Sequence, residues 1–446
     1  MKGTMSRSLR RLITDYGMVV VLLVLGGFFS ILTIEDQSPV GAAAARDLMS
    51  QMRDLPGRSG GVLIVGRQSA EDAFLAALLE EELKSEGWEV FEVVLGEPPD
   101  ARAVLQRAAQ SGRTLGVIAG TQVTARWLVF SDVKTGFPGV GDPVVVEPRS
   151  YRWPNFLKRD NLINIANQIA VIAIVAIGMT MVIITAGIDL SVGSLIAFSA
   201  VLCCWVIREV GGALQASWLA MTLSCFGAIL ACGSVGAFTG GMITLMRIPP
   251  FIVTLGMMLV ASGCAYILAQ GQSVYQVPDA FVWLGRGADV FGIPNAVLLM
   301  GILYAGAHVL MSSTRIGRYL YAVGGNVEAA RLSGVPVRRV LLFAYVASGL
   351  LAGLGGVIMA SQLKSGSPTY GLMYELYVIA AVVVGGTSLS GGEGRMLGTL
   401  IGAFIIAVIQ NGMNLMGIES YTQKVVLGAV ILGAVCLDKL KQRDGK

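Results

Sequence analysis

From about residue 160 to the end, the chain is a near-continuous succession of apolar runs long enough to cross a bilayer. Hydrocarbon cannot hydrogen-bond a backbone, so a spanning segment must pair its own peptide groups, and runs near twenty residues choose the helix. Nine runs, several of them short, fall at roughly 161–186, 190–207, 214–236, 250–270, 294–312, 339–361, 374–388, 396–415 and 423–437. A tenth, Tyr16 to Ile34, follows Lys2, Arg7, Arg10 and Arg11. It is too long for the apolar part of a cleaved leader and no small-residue cleavage site follows it directly, so it is expected to remain as a first spanning helix. The composition agrees, with 54% hydrophobic and 14% charged residues and a mean hydropathy of +0.69. The fold expected is an all-α polytopic membrane protein of about ten transmembrane helices.

One stretch breaks the pattern. Arg315 to Arg339 carries Arg315, Arg318, Arg331, Arg338 and Arg339 with one acid, Glu328, and cannot lie in hydrocarbon. Flanked by apolar runs, it belongs on the cytoplasmic side, where basic residues accumulate. Within it Asn326 can cap a short helix that has Glu328 in its first turn and ends by Gly334 and Pro336. Ten spans with both termini cytoplasmic put fifteen Lys or Arg at cytoplasmic positions, from Lys2 at the start to Lys446 in the tail, and leave four, Arg208, Arg286, Lys364 and Lys424, on the short outer loops. The net charge of +4 therefore reports orientation, and no nucleic-acid partner is inferred.

Residues 35–155 have the texture of a soluble domain. Val62–Val65, Trp88–Leu95 and Leu115–Ala119 read as strands, and Ala70–Lys84 and Ala101–Gln110 as helices. The alternation implies a small parallel α/β insert between the first and second spanning helices, on the extracytoplasmic face. Gly120-Thr121-Gln122 is either a plain connection or a ligand-binding turn at the carboxyl end of a strand. The expected domains are thus 1–34, the cytoplasmic N-terminus and first helix; 35–155, the insert; 156–438, the membrane domain with its loop 315–339; and 439–446, a cytoplasmic tail.

The six cysteines, of which Cys203 to Cys264 fall between residues 200 and 270, all lie in apolar segments without paired ligand spacing. No metal site is expected, and His308, the single histidine, is expected between helices. Two polar motifs interrupt the apolar runs. In Gly187-Ile188-Asp189-Leu190-Ser191-Val192-Gly193-Ser194, Gly187 permits a turn, Asp189 or Ser191 can accept from backbone N–H groups of the next helix, and Gly193 and Ser194 permit close packing. Ion coordination by Asp189 is the lesser alternative, since one carboxylate with no neighbouring acid or histidine is a poor ligand set. The second motif, Val384 to Gly394, contains Gly385, Gly386, Ser388, Gly391 and Gly392. It has neither the lysine nor the strand-to-helix setting of a phosphate-binding loop, and the chain has no such loop elsewhere.

Together these segments resemble one family. Glu328-Ala329-Ala330 followed by Gly334 is similar to the coupling loop of ABC importer permeases, and Gly187 to Ser194 resembles the signature of the ribose, xylose and galactose type. The Gly-rich segment agrees, as do Asn161-Leu162-Ile163-Asn164-Ile165 and Tyr374-Glu375-Leu376. The resemblance covers about Pro154 to Asp438 and implies a monosaccharide permease subunit in the cytoplasmic (inner) membrane, with no catalytic site of its own. It implies a second permease copy or paralogue, an ABC ATPase subunit that binds ATP and magnesium, and an extracytoplasmic sugar-binding protein as partners, all within membrane lipid. Branched-chain amino-acid permeases share the general fold, so an amino acid is the nearest alternative cargo. For the path, Asn167, Gln168, Thr180, Thr185, Gln410, Asn411 and Asn414 are candidates, each equally able to bond another helix. An ion-coupled transporter is disfavoured because the acids fall almost entirely at helix ends.

Overall fold

The computed structural model describes residues 7–55 and 60–444, with side chains over 17–55 and 60–436; Lys2 and Lys446, part of the charge argument above, lie outside them. The chain divides into two compact units, one formed by Ile34–Pro154 and the other by the chain on either side of it. The first helix, α1 (Arg7–Leu32), belongs to the second of these.

The insert begins with β1 (Ile34–Gln37) and α2 (Gly41–Arg53), followed by β2 (Gly61–Gly66), α3 (Ala70–Ser85), β3 (Val90–Leu95), α4 (Pro98–Gln110), β4 (Leu115–Gly120), α5 (Val133–Gly136), β5 (Val144–Val146) and β6 (Tyr151–Pro154). Strands β3-β2-β4-β5 form one parallel sheet in that order. In β2 the side chains alternate between two cores: Val62 and Ile64 pack with α2 and α3, Leu63 and Val65 with α4 and Phe130. Burial on both faces is why this strand reads as an unbroken apolar run. Separately, β1 and β6 pair antiparallel, Ile34 opposite Pro154 and Gln37 opposite Tyr151, so the insert starts and ends at one place.

After β6 come α6 (Arg159–Ile184), α7 (Val192–Glu209), α8 (Trp218–Leu245), α9 (Pro250–Ala269), the short α10 (Trp283–Arg286), α11 (Asn295–Ser313), α12 (Arg315–Gly325), α13 (Val327–Leu332), α14 (Val337–Leu363), α15 (Tyr374–Val384), α16 (Met396–Leu415) and α17 (Ser420–Asp444). Seven helices among the described residues, α6, α7, α8, α9, α11, α14 and α16, are long and apolar enough to cross a membrane. Three shorter apolar helices, Gly17–Leu32, Tyr374–Val384 and Ser420–Cys436, accompany them. Helix α6 is the hub, buried along most of its length and packed by α14, α16, α11 and α15.

Small residues let α8 and α14 touch backbone to backbone. Gly236 and Gly240 of α8 lie against Tyr345 and Leu342, while Gly349 and Gly353 of α14 lie against Cys232 and Ile229. Each pair is spaced by four, on one helix face. Beyond α14, residues 364–373 are not helical, and they run beside α7: Gly366 abuts Ala200 and Gly371 abuts the Gly193 carbonyl. Non-helical backbone is tolerated at membrane depth where protein covers it, and here Ser365, Gly366, Ser367 and Pro368 are buried and Gly366 exchanges backbone hydrogen bonds with Val274.

Several expectations shift. The run 374–388 yields a helix of only 11 residues, about 16 Å at 1.5 Å per residue, because Gly385 and the positive φ of Gly386 end it. Helix α8 is longer than expected, and α12 occupies part of what the sequence presented as loop. His308 stands exposed on α11 rather than between helices, because it lies on the helix face that Gly301, Ala305 and Ser312 share and that face is exposed along its length.

Candidate functional site

The turn between α6 and α7 is built around Asp189, a carboxylate only 2% exposed. Its Oδ1 accepts from the Ser191 backbone N–H at 3.0 Å and the Ser191 hydroxyl at 2.6 Å, and its Oδ2 accepts from Ser348 of α14 at 2.8 Å. Asp189 therefore takes the N–H two residues on, whereas Ser191, the residue before α7, makes no side-chain cap. The turn is tied to α9 as well, where Thr254 donates to the Ile188 carbonyl at 3.2 Å. Gly187 is confined by the Tyr345 hydroxyl, and Gly193 by Glu375 and the Gly371 carbonyl, so both positions exclude a side chain. Leu190 and Ser194 are half-buried beside them.

The Gly-rich loop closes on the same region. Gly392 N–H donates to the Ile184 carbonyl at 2.8 Å, and Gly391 packs on Ala186 and on Gly324 of α12. Both glycines have φ near +80°, which L side chains rarely adopt. Gly385 lies against Gly398 at the start of α16, and the Ser388 hydroxyl accepts from Ser390 N–H. Tyr321 of α12 donates to the Gly394 carbonyl at 2.8 Å. The structure thus joins two sequence motifs through α12, a helix that neither contains. Gly324 is the tightest point: a Cβ there would fall on the Ile184 carbonyl oxygen.

Helix α12 leads directly into α13. Asn326 caps α13 by accepting from Ala329 N–H at 2.9 Å, and Gly334, at φ +84°, ends it. Ala330 is buried, whereas Glu328, Ala329 and Arg331 are exposed, the two charged side chains forming an open ion pair at 2.9 Å. Leu332 is 85% exposed and Val327 46%. This six-residue helix thus turns two apolar side chains outward beside its ion pair.

Elsewhere in the bundle, Gln168, Ile169 and Ile172 of α6, Met359, Gln362 and Leu363 of α14, Tyr374 of α15, and Ala407 and Gln410 of α16 line a groove of about 240 Å³. Of the path candidates, Gln168 and Gln410 stand here. Asn167 instead bonds Gln362, donates to the Gly285 carbonyl at 3.5 Å, and lies outside the lining. Asn411 exchanges two hydrogen bonds with Asn161, at 3.0 and 2.8 Å, and Asn414 accepts from Gln423 at 2.7 Å. Thr180 pairs with Thr399 inside the core and Thr185 bonds its own helix end. Gln362 and Tyr374 were not singled out for the groove from sequence. A glutamine near the end of the apolar run 339–361 was the available signal for the first.

Comparison with known proteins decides the family. The family model described as branched-chain amino acid transport system / permease component matches residues 161–435. The chain belongs to this permease family. The match begins after the insert ends, so the membrane-spanning unit carries the family resemblance. The ribose import permease protein of Escherichia coli (strain K12) is 44% identical over 293 residues, 65% of this chain and 88% of the relative. The ribose import permease protein of Bacillus subtilis (strain 168) is 44% identical over 290 residues, 65% of this chain and 87% of the relative. The D-allose transport system permease protein of Escherichia coli (strain K12) is 36% identical over 285 residues, covering 64% and 85%. No solved structure matches the chain.

Proposed function

We propose that this permease is the membrane subunit of an ABC importer for a monosaccharide. The observation that carries the reading is the 44% identity that extends over 88% of a ribose import permease. In this reading the seven long helices and the three shorter apolar ones make ten crossings, both termini face the cytoplasm, and the insert lies outside the inner membrane. Two copies, or this chain and a paralogue, enclose the path. The groove supports that role: three amides and a phenol in an apolar wall offer hydroxyl-matching donors and acceptors without a charge, which suits cargo that must leave again. Helix α13 docks on the ATPase subunit, with Leu332 and Val327 as its apolar contacts and Glu328 and Arg331 at its rim. ATP and magnesium bind on that partner, a binding protein delivers the sugar, and the insert modulates the binding protein's docking.

The test is ATP-dependent ribose uptake into proteoliposomes holding this chain with its ATPase and binding protein. Glu328→Lys and Gly334→Pro should abolish uptake while the chain remains folded. Uptake driven by an ion gradient without any ATPase would sink the assignment.

A further inference from the structure

The insert has a built crevice that neither the transport reading nor the family match uses. Its strand order β3-β2-β4-β5 means that the chain leaves β2 toward one edge of the sheet, by α3 to β3, and then crosses by α4 to β4 on β2's other side. Connections diverge between β2 and β4, and in open parallel sheets a crevice forms beyond the carboxyl ends of the strands at such a point. A cavity of about 170 Å³ occupies this position, lined from β2's end by Arg67, from α3 by Glu71 in its first turn and Leu75, from β4's end by Thr121 and Gln122, and by Ser38 before α2. At roughly 30 Å³ per water this is the space of about six waters, room for a small molecule of a few heavy atoms, or for part of a larger one.

The polar groups limit the ligand's chemistry. Asp72, 3% exposed, fixes Arg67 through its backbone N–H at 2.8 Å and its guanidinium at 3.0 and 3.3 Å. That pair cancels, and Glu71 leaves the lining with one net negative charge, which repels phosphates and free carboxylates. Gln122 accepts from the Ser38 hydroxyl through its Oε1, and its amide N–H groups have no hydrogen-bond partner among the described residues. The Glu71 carboxylate likewise accepts no hydrogen bond among them, and Val40, Val123 and Leu75 supply an apolar wall. Amide donors, a carboxylate acceptor and hydroxyls against a hydrocarbon wall are the complement of a polyhydroxylated carbon chain, which offers O–H on its edges and C–H on its faces.

We propose that the insert is a binding module for a small uncharged polyhydroxy compound, a sugar or polyol, held in this crevice by Glu71 and Gln122. The site is separate from the groove in the membrane unit and goes beyond the transport function.

The experiment uses the full chain in nanodiscs. Hydrogen–deuterium exchange is followed with ribose, glucose or glycerol up to about 10 mM, tenfold above a millimolar Kd, with glycine and inorganic phosphate as charged comparators. At least one of the three neutral compounds should protect peptides covering 67–75 and 121–125. Glu71→Leu and Gln122→Leu should each weaken that protection about tenfold or more, with the circular dichroism of both variants unchanged. Gln168→Ala, in the membrane groove, should leave it intact. Protection by none of the three neutral compounds, protection only by glycine or phosphate, or protection unaltered in both insert variants overturns the proposal. Because uptake is not the readout, failure here leaves the transport reading to its own test.

Discussion

Asp189 shows how one buried carboxylate can organise a turn. Three donors converge on it, from Ser191 twice and Ser348 once, and they link the start of α7 to the middle of α14. Removing the acceptor strands those donors in the protein interior, so Asp189→Ala should cost about 3 kcal/mol. Asp189→Asn keeps one acceptor oxygen for Ser191 and can donate to the Ser348 hydroxyl, so it should lose about 1 kcal/mol. Thermal unfolding of the purified proteins checks the order, and an alanine variant as stable as wild type would contradict this role. Steric limits give a second comparison. Gly324→Ala puts a methyl on the Ile184 carbonyl oxygen, whereas at the neighbouring Gly325 nothing stands within 4 Å. The first should sharply reduce the yield of monodisperse protein, and the second should match wild type.

Helix α3 of the insert carries a pH-dependent anchor. Burial works to raise the Asp72 carboxyl, but hydrogen bonds from the Arg67 side chain and backbone and from Ser69 outweigh it and hold the group below the usual carboxylate value. A depressed folded pKa stabilises fully above the ordinary value of about 3.9 and loses that contribution as pH falls through the folded value. Pepsin cleavage within residues 34–154 should therefore rise below about pH 4 in the wild type, and Asp72→Asn should already be more susceptible at pH 5, with a flatter dependence. Helix α3 was legible in the sequence because its charge pattern and apolar spacing coincide, and α13 because Asn326 and Gly334 bracket it with local signals. What escaped depends on partners far along the chain. The ribbon of β1 and β6 pairs residues about 120 apart, and β1 carries acids that no strand pattern would pick out. The non-helical 364–373 segment is held by Val274 and α7, and nothing within it announces that contact. The groove was half legible: Gln168 and Gln410 were named, but Asn167, Asn411 and Asn414 look the same in sequence until their hydrogen-bond partners are seen.

The way the insert is spliced into the chain makes its contribution separable. Gln37 and Tyr151 are the last paired residues of the β1–β6 ribbon, and everything between them can be replaced by a two-residue Asn-Gly turn that closes the ribbon as a hairpin. The insert has its own two apolar cores, and the membrane-spanning unit has others, so neither loses its interior when they are parted. The shortened protein should purify as a folded species with one cooperative thermal transition, and the coupling proposed for α13 should persist as ATPase stimulation in the presence of the proposed partner subunit. Its affinity for the sugar-binding protein should change, because in the proposed arrangement the insert shapes that docking. An excised chain that aggregates would show that the two units are not independent. Unchanged uptake together with unchanged affinity would remove the docking role, and would leave the crevice between β2 and β4 as the insert's remaining claim to a function.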